Sequence, residues 1–172
     1  MVNETTSPRQ PVVECPVVVP VVCPEPQPAS SDVKPVIGEV EAVRVEPPGL
    51  LLNARIDTGA TTSSVNALDI ERFERDGKRW VRFTLVDEHD KSYALERPVV
   101  RMVRIKRHAG EARQRAVVKL SLSLAGRTQS SEVSLTDRSD FDYKLLVGRG
   151  FLRDTFSVDI STKFTQSIPS KP

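Results

Sequence analysis

Apolar and polar residues alternate along much of the chain after Pro35, and this alternation constrains the fold more than any other feature of the sequence. A period of two places successive side chains on opposite faces of a β-strand, whereas a helix requires a period of about 3.6. The inward positions that the alternation predicts are Val43, Val45, Val81, Phe83, Leu85, Val118, Leu120, Leu122, Leu124, Val133, Leu135, Phe156, Val158 and Ile160. These short runs, separated by turns, predict an all-β barrel or sandwich.

One short helix is predicted within this β pattern. Residues 66–76 contain Ile70 and Phe73, which are three positions apart and would lie on the same face of a helix. No internal repeat is found along the chain, so a repeat architecture is not expected.

The prolines divide the chain into two parts. Eight of the 13 prolines fall in the first 35 residues: Pro8, Pro11, Pro16, Pro20, Pro24, Pro26, Pro28 and Pro35. Proline has no backbone N–H and restricts the residue before it, so such a segment forms neither a helix nor a central strand. We therefore predict a disordered Pro-rich tail or tether over residues 1–34, a folded domain over residues 35–166 and a flexible C-terminus over residues 167–172.

Composition and charge argue against several functions. The formal net charge is only +2 and aromatic residues make up 5%, which argues against a nucleic-acid binder. No apolar run approaches the roughly 20 residues that span a bilayer. The first ten residues lack the basic and apolar regions of a signal peptide. The periplasm or envelope is favoured if a leader was removed, and the cytoplasm otherwise.

The cysteines and histidines give no metal site. Cys15 and Cys23 lie in the Pro-rich segment, where they either close a small disulfide loop or remain free thiols. The histidines are His89 and His108, and no CxxC or HExxH pair accompanies them. We therefore expect neither zinc nor another cofactor.

Two segments carry the functional signal. In the first, an apolar strand leads into Asp57-Thr58-Gly59-Ala60, which is either a solvated β-turn or half of a two-aspartate active site. Gly59 is expected to permit the tight turn there. In the second, Leu145, Leu146 and Val147 lead into Gly148-Arg149, which alone would be a buried strand that ends in a glycine turn.

In this order the two segments resemble the retropepsin-type aspartic proteases. Within this group, the closer resemblance is to a bacterial branch long labelled ATP-dependent zinc proteases, whose members carry a DTGA-x-TSS segment like residues 57–64. The resemblance covers roughly residues 36–165, and it implies a closed all-β retropepsin-like barrel. It also implies that Asp57 is catalytic and that Thr58, Gly59, Ala60, Gly148 and Arg149 support the active-site loop. Many members of the branch are encoded beside ATP-grasp ligases that attach glutamate to proteins, which implies a functional link to such a ligase.

The resemblance implies a homodimer. One aspartate cannot serve as both acid and base, and the chain has a single Asp-Thr-Gly. An active peptidase would therefore pair Asp57 from two subunits at a two-fold axis, where neighbouring carboxylates share one proton. By the same resemblance, the Thr58 hydroxyl bonds across the dimer.

The sequence departs from the family near Asp57. Viral retropepsins carry an acidic residue four positions after the catalytic aspartate, paired with the arginine of Gly-Arg, and here that position is Thr61. Arg149 is therefore predicted to lack this local partner. It is expected to pair with Asp69 or Asp154, or to face the site.

The resemblance also implies a β-hairpin flap over the substrate, expected over residues 99–118 with its tip at residues 108–111. An additional hairpin is predicted before it, with its tip at residues 86–91. The basic residues proposed to bind substrate on the flap are Arg104, Lys106, Arg107, Arg113 and Arg115. Such a flap would attract an acidic or glutamate-rich peptide by electrostatic steering. The alternative is a solvated hairpin whose charges prevent edge-to-edge aggregation.

Two hypotheses of function follow. The first is an aspartic endopeptidase that acts as a homodimer through Asp57, and the intact Asp-Thr-Gly favours it. The second is a binding or adaptor module that keeps the fold and grips a peptide without cleaving it. A zinc protease and a nucleic-acid binder are weaker alternatives, since the first lacks ligands and the second lacks aromatic residues.

Overall fold

The computed structural model describes residues 33–105 and 113–168, and this part of the chain is almost entirely β-structure. The strands are β1 (Val36–Gly38), β2 (Val40–Glu46), β3 (Leu50–Ile56), β4 (Ser63–Asn66), β5 (Leu68–Arg75), β6 (Lys78–Val86), β7 (Ser92–Pro98), β8 (Arg101–Ile105), β9 (Arg113–Leu124), β10 (Arg127–Thr136), β11 (Leu145–Val147) and β12 (Ser157–Asp159). A short helix, α1, covers Arg149–Leu152.

Six strands close into a barrel in the order β2, β3, β11, β4, β10 and β9, and the pairing of β9 with β10 completes the ring. β9 is long enough to pair with two strands along the edge that does not face β10. Its residues 113–117 pair with β8, and residues 121–123 pair with β2. The closed all-β barrel predicted from the sequence is therefore confirmed.

The barrel interior is filled by the apolar residues that alternate along the strands. Leu120, Leu122 and Leu124 of β9 are fully buried, as is Phe83 of β6. β6 belongs to a second sheet, ordered β5-β6-β7, which joins the same hydrophobic core through its buried face. Ile160 is an exception to the predicted pattern: it is 77% exposed because β12 has already ended at Asp159.

The helix predicted for residues 66–76 is wrong, because this segment forms β5. The strand pairs antiparallel with β6, which places Phe73 opposite Trp80. Asp76 and Gly77 both have positive φ, at 51° and 69°, as a type I′ hairpin turn requires. This Asp-Gly turn and the cross-strand pairing outweigh the three-residue spacing of Ile70 and Phe73.

The two predicted hairpins are both present. β6 and β7 are joined at residues 87–91, where Asp87 Oδ1 accepts hydrogen bonds from the backbone N–H groups of His89 and Lys91. The bond from Lys91 is the largest cause that lowers the pKa of Asp87. β8 and β9 form the arms of the predicted flap, while its tip lies outside the described residues. Cys15 and Cys23 also lie outside them, and the tail and C-terminal boundaries remain predictions.

The end of the described chain is tied to the barrel by Glu41 of β2, a fully buried carboxylate. Its Oε1 accepts hydrogen bonds from the Gly38 N–H at 2.7 Å, the Thr165 N–H at 3.0 Å and the Thr165 hydroxyl at 2.6 Å. A buried carboxylate needs such donors because burial removes its hydration. Within the described residues, no helix has the length and apolar character needed to cross a membrane.

Candidate active site

Asp57 stands immediately after β3, where the barrel wall opens into a loop. Its backbone N–H donates to the Val147 carbonyl oxygen at 2.9 Å, which fixes the residue to β11. Its Oδ1 accepts hydrogen bonds from the backbone N–H groups of Gly59 and Ala60, each at 2.9 Å. The half-buried carboxylate is thus oriented by the backbone of its own loop.

The two sequence motifs meet at Gly148. The Arg149 N–H donates to the Ala60 carbonyl oxygen at 2.8 Å, and the Gly148 N–H donates to the Ser63 hydroxyl at 3.1 Å. A β-carbon on Gly148 would lie 2.9 Å from the Ala60 oxygen and from the Thr62 carbonyl carbon. Only a residue without a side chain allows this close approach.

Thr58 and Gly59 form the exposed tip of the loop. The φ of Gly59 does not lie in the left-handed region, so its role differs from the turn expected from the sequence. A β-carbon there would come 3.2 Å from Asp57 Oδ1. Gly59 therefore makes room for the carboxylate that its own N–H binds.

Arg149 bonds to the loop rather than to a distant acid. Its Nη2 donates to the Thr61 hydroxyl at 2.9 Å, and its Nη1 reaches the Thr58 carbonyl oxygen at 3.5 Å. Arg149 has no acidic partner at position 61, as predicted, and the Thr61 hydroxyl accepts a hydrogen bond there instead. The two acids considered as alternative partners lie elsewhere. Asp154 Oδ1 is 3.7 Å from Lys34 Nζ, and Asp69 lies on β5.

The arms of the β8–β9 hairpin place their basic residues on different faces. Arg101, which was not among the predicted site residues, donates to the Thr62 hydroxyl at 3.0 Å and to Glu132 at 2.8 Å. Arg115 of β9 is paired with Val103 and faces the loop of Asp57. Arg104 is exposed and, because side chains alternate along β8, it points to the opposite face.

The side chains of the remaining predicted flap residues lie outside the described part of the structure. Arg113 lies on β9, opposite Ile105 of β8. Lys106 and Arg107 lie outside the described residues. Of the five basic residues predicted on the flap, Arg115 is the one placed beside the Asp57 loop within the described part of the chain.

A cavity of about 370 Å³ lies between this loop and the hairpin. Thr61 and Thr62 line one side, Val103 and Arg115 line another, and Arg138 contributes a second guanidinium group. Its volume falls within the roughly 300–1,000 Å³ of small-molecule and cofactor pockets. The cavity therefore adjoins the loop that follows Asp57, and its lining includes cationic and apolar side chains.

Arg138 is a site residue that sequence reasoning missed. It is only 8% exposed, its backbone N–H donates to Asn66 Oδ1 at 2.6 Å, and its Nε donates to the Tyr143 carbonyl oxygen at 3.2 Å. Burial lowers the pKa of Arg138, the positive charge of Arg115 lowers it further, and Asp57 opposes the shift. The segment TDRSD has neither periodicity nor a motif, so its sequence gave no signal of this position.

No group of three or more His, Cys, Asp or Glu residues able to hold a metal ion occurs among residues 33–105 and 113–168.

Comparison with known proteins identifies relatives over most of the described domain. Probable alpha-L-glutamate ligase of Shewanella pealeana is 35% identical over 138 residues, which cover 78% of this chain and 30% of that protein. The protein of the same name from Desulfotalea psychrophila is 32% identical over 112 residues, covering 63% of this chain and 24% of its own length. The chain thus spans less than a third of these curated relatives.

A solved structure matches over nearly its whole length, and a family model matches most of this chain. The crystal structure of a Legionella pneumophila protein of unknown function has a TM-score of 0.66 and 32% identity, and the match covers 76% of this chain and 97% of that one. The RimB-like family model, described as retropepsin-like aspartic endopeptidase RimB, matches residues 36–169. The chain therefore belongs to the RimB-like family of retropepsin-like aspartic endopeptidases.

Proposed function

We propose that this chain is an aspartic endopeptidase that acts as a homodimer, with Asp57 from each subunit forming the catalytic pair. The observation that carries the proposal is the orientation of the Asp57 carboxylate by the Gly59 and Ala60 N–H groups. Both bonds go to Oδ1, so we assign Oδ2 to the shared proton and the attacking water. Gly148 and Arg149 support the loop from below, as family membership leads us to expect.

The proposed reaction follows from two adjacent carboxylates that share one proton. The ionised carboxylate takes a proton from water as the water oxygen attacks the scissile carbonyl carbon, while the protonated partner donates to the carbonyl oxygen. When the tetrahedral intermediate collapses, the C–N bond breaks and the amine leaves with a proton from the pair. The two Asp57 side chains titrate together, so the pH profile belongs to the pair.

The proposed dimer brings two Asp57 loops together. Thr58 and Gly59 are exposed at the tip of the loop, where a second copy can approach. We assign the Thr58 hydroxyl to a hydrogen bond across the two-fold axis. An isologous contact of this kind places identical residues opposite each other, as a symmetric dyad requires.

The proposed substrates are acidic or glutamate-rich peptides. The cavity beside Asp57 contains Arg115 and Arg138, and Arg104, Lys106, Arg107 and Arg113 belong to the same basic hairpin sequence. The curated relatives are named as glutamate ligases, which supports a functional link between this domain and glutamate attached to proteins. A peptidase of this specificity would remove what an ATP-grasp ligase adds.

The first experiment compares cleavage of a glutamate-rich peptide by the wild-type chain, by Asp57→Asn and by the control Asp140→Asn. Asp140 is an exposed carboxylate between β10 and β11. We expect cleavage to be lost in Asp57→Asn and retained in Asp140→Asn, with the fold intact in both by circular dichroism. Cleavage that survives in Asp57→Asn would contradict the proposal. Binding without cleavage by the wild-type chain would instead identify a non-catalytic peptide-binding module.

Oligomeric state is tested by analytical ultracentrifugation across a micromolar concentration range, with and without the acidic peptide. We expect a dimer that the peptide tightens, because substrate would contact both subunits. A strict monomer during active cleavage would contradict the paired mechanism.

A further inference from the structure

We propose that the cavity beside the Asp57 loop is a carboxylate-binding subsite, in which Arg115 and Arg138 hold one acidic group of a bound peptide. The inference rests on the proposed function, because it assigns the group recognised next to the catalytic aspartate. It also adds a pocket within one subunit to the exposed basic hairpin as a place where acidic substrates are selected.

The cavity contains an unused hydrogen-bond donor, the hydroxyl group of Ser64. Ser64 lines the cavity, is only 6% exposed, and its hydroxyl has no hydrogen-bond partner among the described residues. Buried polar side chains in native proteins are nearly always hydrogen-bonded. An anionic oxygen in the cavity would accept the Ser64 O–H, so a ligand of this chemistry supplies the missing partner.

The lining of the cavity also concentrates positive charge. Arg138 is buried next to Arg115, and the carboxylate of Asp57 acts on it as well. Two guanidinium groups at one cavity would attract an anionic group of a ligand and bind it through charge-assisted hydrogen bonds. The lowered pKa of Arg138 agrees with this concentration of positive charge, since burial and Arg115 together outweigh Asp57.

The walls of the cavity combine apolar and cationic side chains. Val103, Ile105 and Leu146 give the cavity apolar sides, while the guanidinium groups make it cationic. A glutamate side chain matches this arrangement, with methylene groups against the apolar walls and a carboxylate that fits the fork of an arginine. The α-carboxylate at the end of a peptide offers the same anionic group. A glutamine side chain fits this site less well, because it lacks the negative charge of glutamate and its amide NH2 group would face a guanidinium cation.

The test measures the binding of labelled peptides to full-length chains that all carry Asp57→Asn, so that cleavage does not interfere. Three peptides are compared: one with a single glutamate and an amidated end, its glutamine counterpart, and the glutamine peptide with a free C-terminal carboxylate. High ionic strength suppresses long-range attraction by exposed charges. The variants are Arg138→Gln, Arg115→Gln and the control Arg127→Gln, which removes the same charge from an exposed position at the start of β10.

We expect the unmodified pocket to prefer a carboxylate peptide over the neutral one by about tenfold or more, the scale of a charged hydrogen bond. Arg138→Gln and Arg115→Gln should each remove that preference, while Arg127→Gln should retain it. If the glutamate peptide binds more tightly than the neutral one, the pocket recognises a side-chain carboxylate. If the peptide with a free C-terminus does so, the pocket recognises the α-carboxylate.

The proposal is overturned if both pocket variants keep the preference, if Arg127→Gln loses it equally, or if no peptide binds. Arg138 also donates hydrogen bonds to Asn66 and Tyr143, so Arg138→Gln could fail to fold. In that case Arg115→Gln alone provides the test. Loss of affinity for both peptide types alike would indicate a structural role and would also count against the subsite. Catalysis is assayed separately, so a pocket that selects carboxylates in a protein that never cleaves would refute the proposed function alone.

Discussion

Gly148 lies against the carbonyl oxygen of Ala60 so closely that a β-carbon on Gly148 would come within 2.9 Å of it. The neighbouring atoms are backbone and cannot swing aside. Gly148→Ala should therefore displace the Asp57 loop and destabilise the fold by about 1–3 kcal/mol, the usual cost of overpacking. Peptide cleavage and denaturant unfolding measure the two effects.

Gly150→Ala is the matched control for this prediction. A β-carbon there would lie 3.3 Å from the Thr61 oxygen, so a shift of a few tenths of an ångström accommodates it. Gly150→Ala should cost less stability and less activity than Gly148→Ala. Equal losses from the two substitutions would show that the close approach at Gly148 is not what positions the loop.

Arg149 bridges the loop through two nitrogen atoms of one guanidinium group, which reach Thr61 and Thr58. Arg149→Lys keeps the charge but loses this fork. Since the contacts are exposed, we expect a loss of stability below about 1 kcal/mol. We also expect a clear decrease in kcat, because the loop is less well positioned. The control is Arg153→Lys on the same exposed surface, and an equal decrease in that variant would argue against a specific role of Arg149.

Glu41 ties the C-terminal segment of the domain to the barrel through Thr165. Glu41→Ala leaves buried N–H groups without an acceptor and should cost about 2–4 kcal/mol. Glu41→Gln keeps an acceptor oxygen and should cost less. Hydrogen exchange should rise at Thr165 and Gln166 in Glu41→Ala before global unfolding. Unchanged protection there would contradict the anchoring role.

Long-range attraction of acidic substrates by the basic hairpin gives a prediction about salt. The affinity for a peptide with several glutamates should fall steeply as ionic strength rises, because exposed charges are screened over roughly 10 Å at 0.1 M salt. A neutral peptide of the same length should change little. A flat salt dependence for the acidic peptide would remove the hairpin from substrate selection.

The sequence was sufficient to predict the barrel and the meeting of its two motifs. Alternation identified the buried faces of β2, β6, β9 and β10, since each strand packs one face on a common core. The apolar strands before Asp57 and Gly148 were also recognisable, because both lie within the barrel wall. These features depend on local patterns that tertiary packing reinforces.

Other features depend on contacts that no local pattern encodes. β5 has few buried residues, so its strand pattern was weak, and the Asp76-Gly77 turn with its pairing to β6 decided its structure. Arg138 lies in a polar loop and is buried only when β10, β4 and the loop at Tyr143 come together. The role of Arg101 likewise depends on the approach of β8 to Thr62.

The most direct test of the paired Asp57 mechanism is a subunit-mixing titration. A fixed amount of wild-type chain is equilibrated with increasing Asp57→Asn chain, or with Asp140→Asn as the control, and cleavage is measured per chain that carries Asp57. If the site needs Asp57 from both subunits, activity per wild-type chain should fall to about half at equal mixing of a symmetric dimer. Activity per wild-type chain that stays constant at every ratio would contradict the account, because each chain would then be catalytic alone.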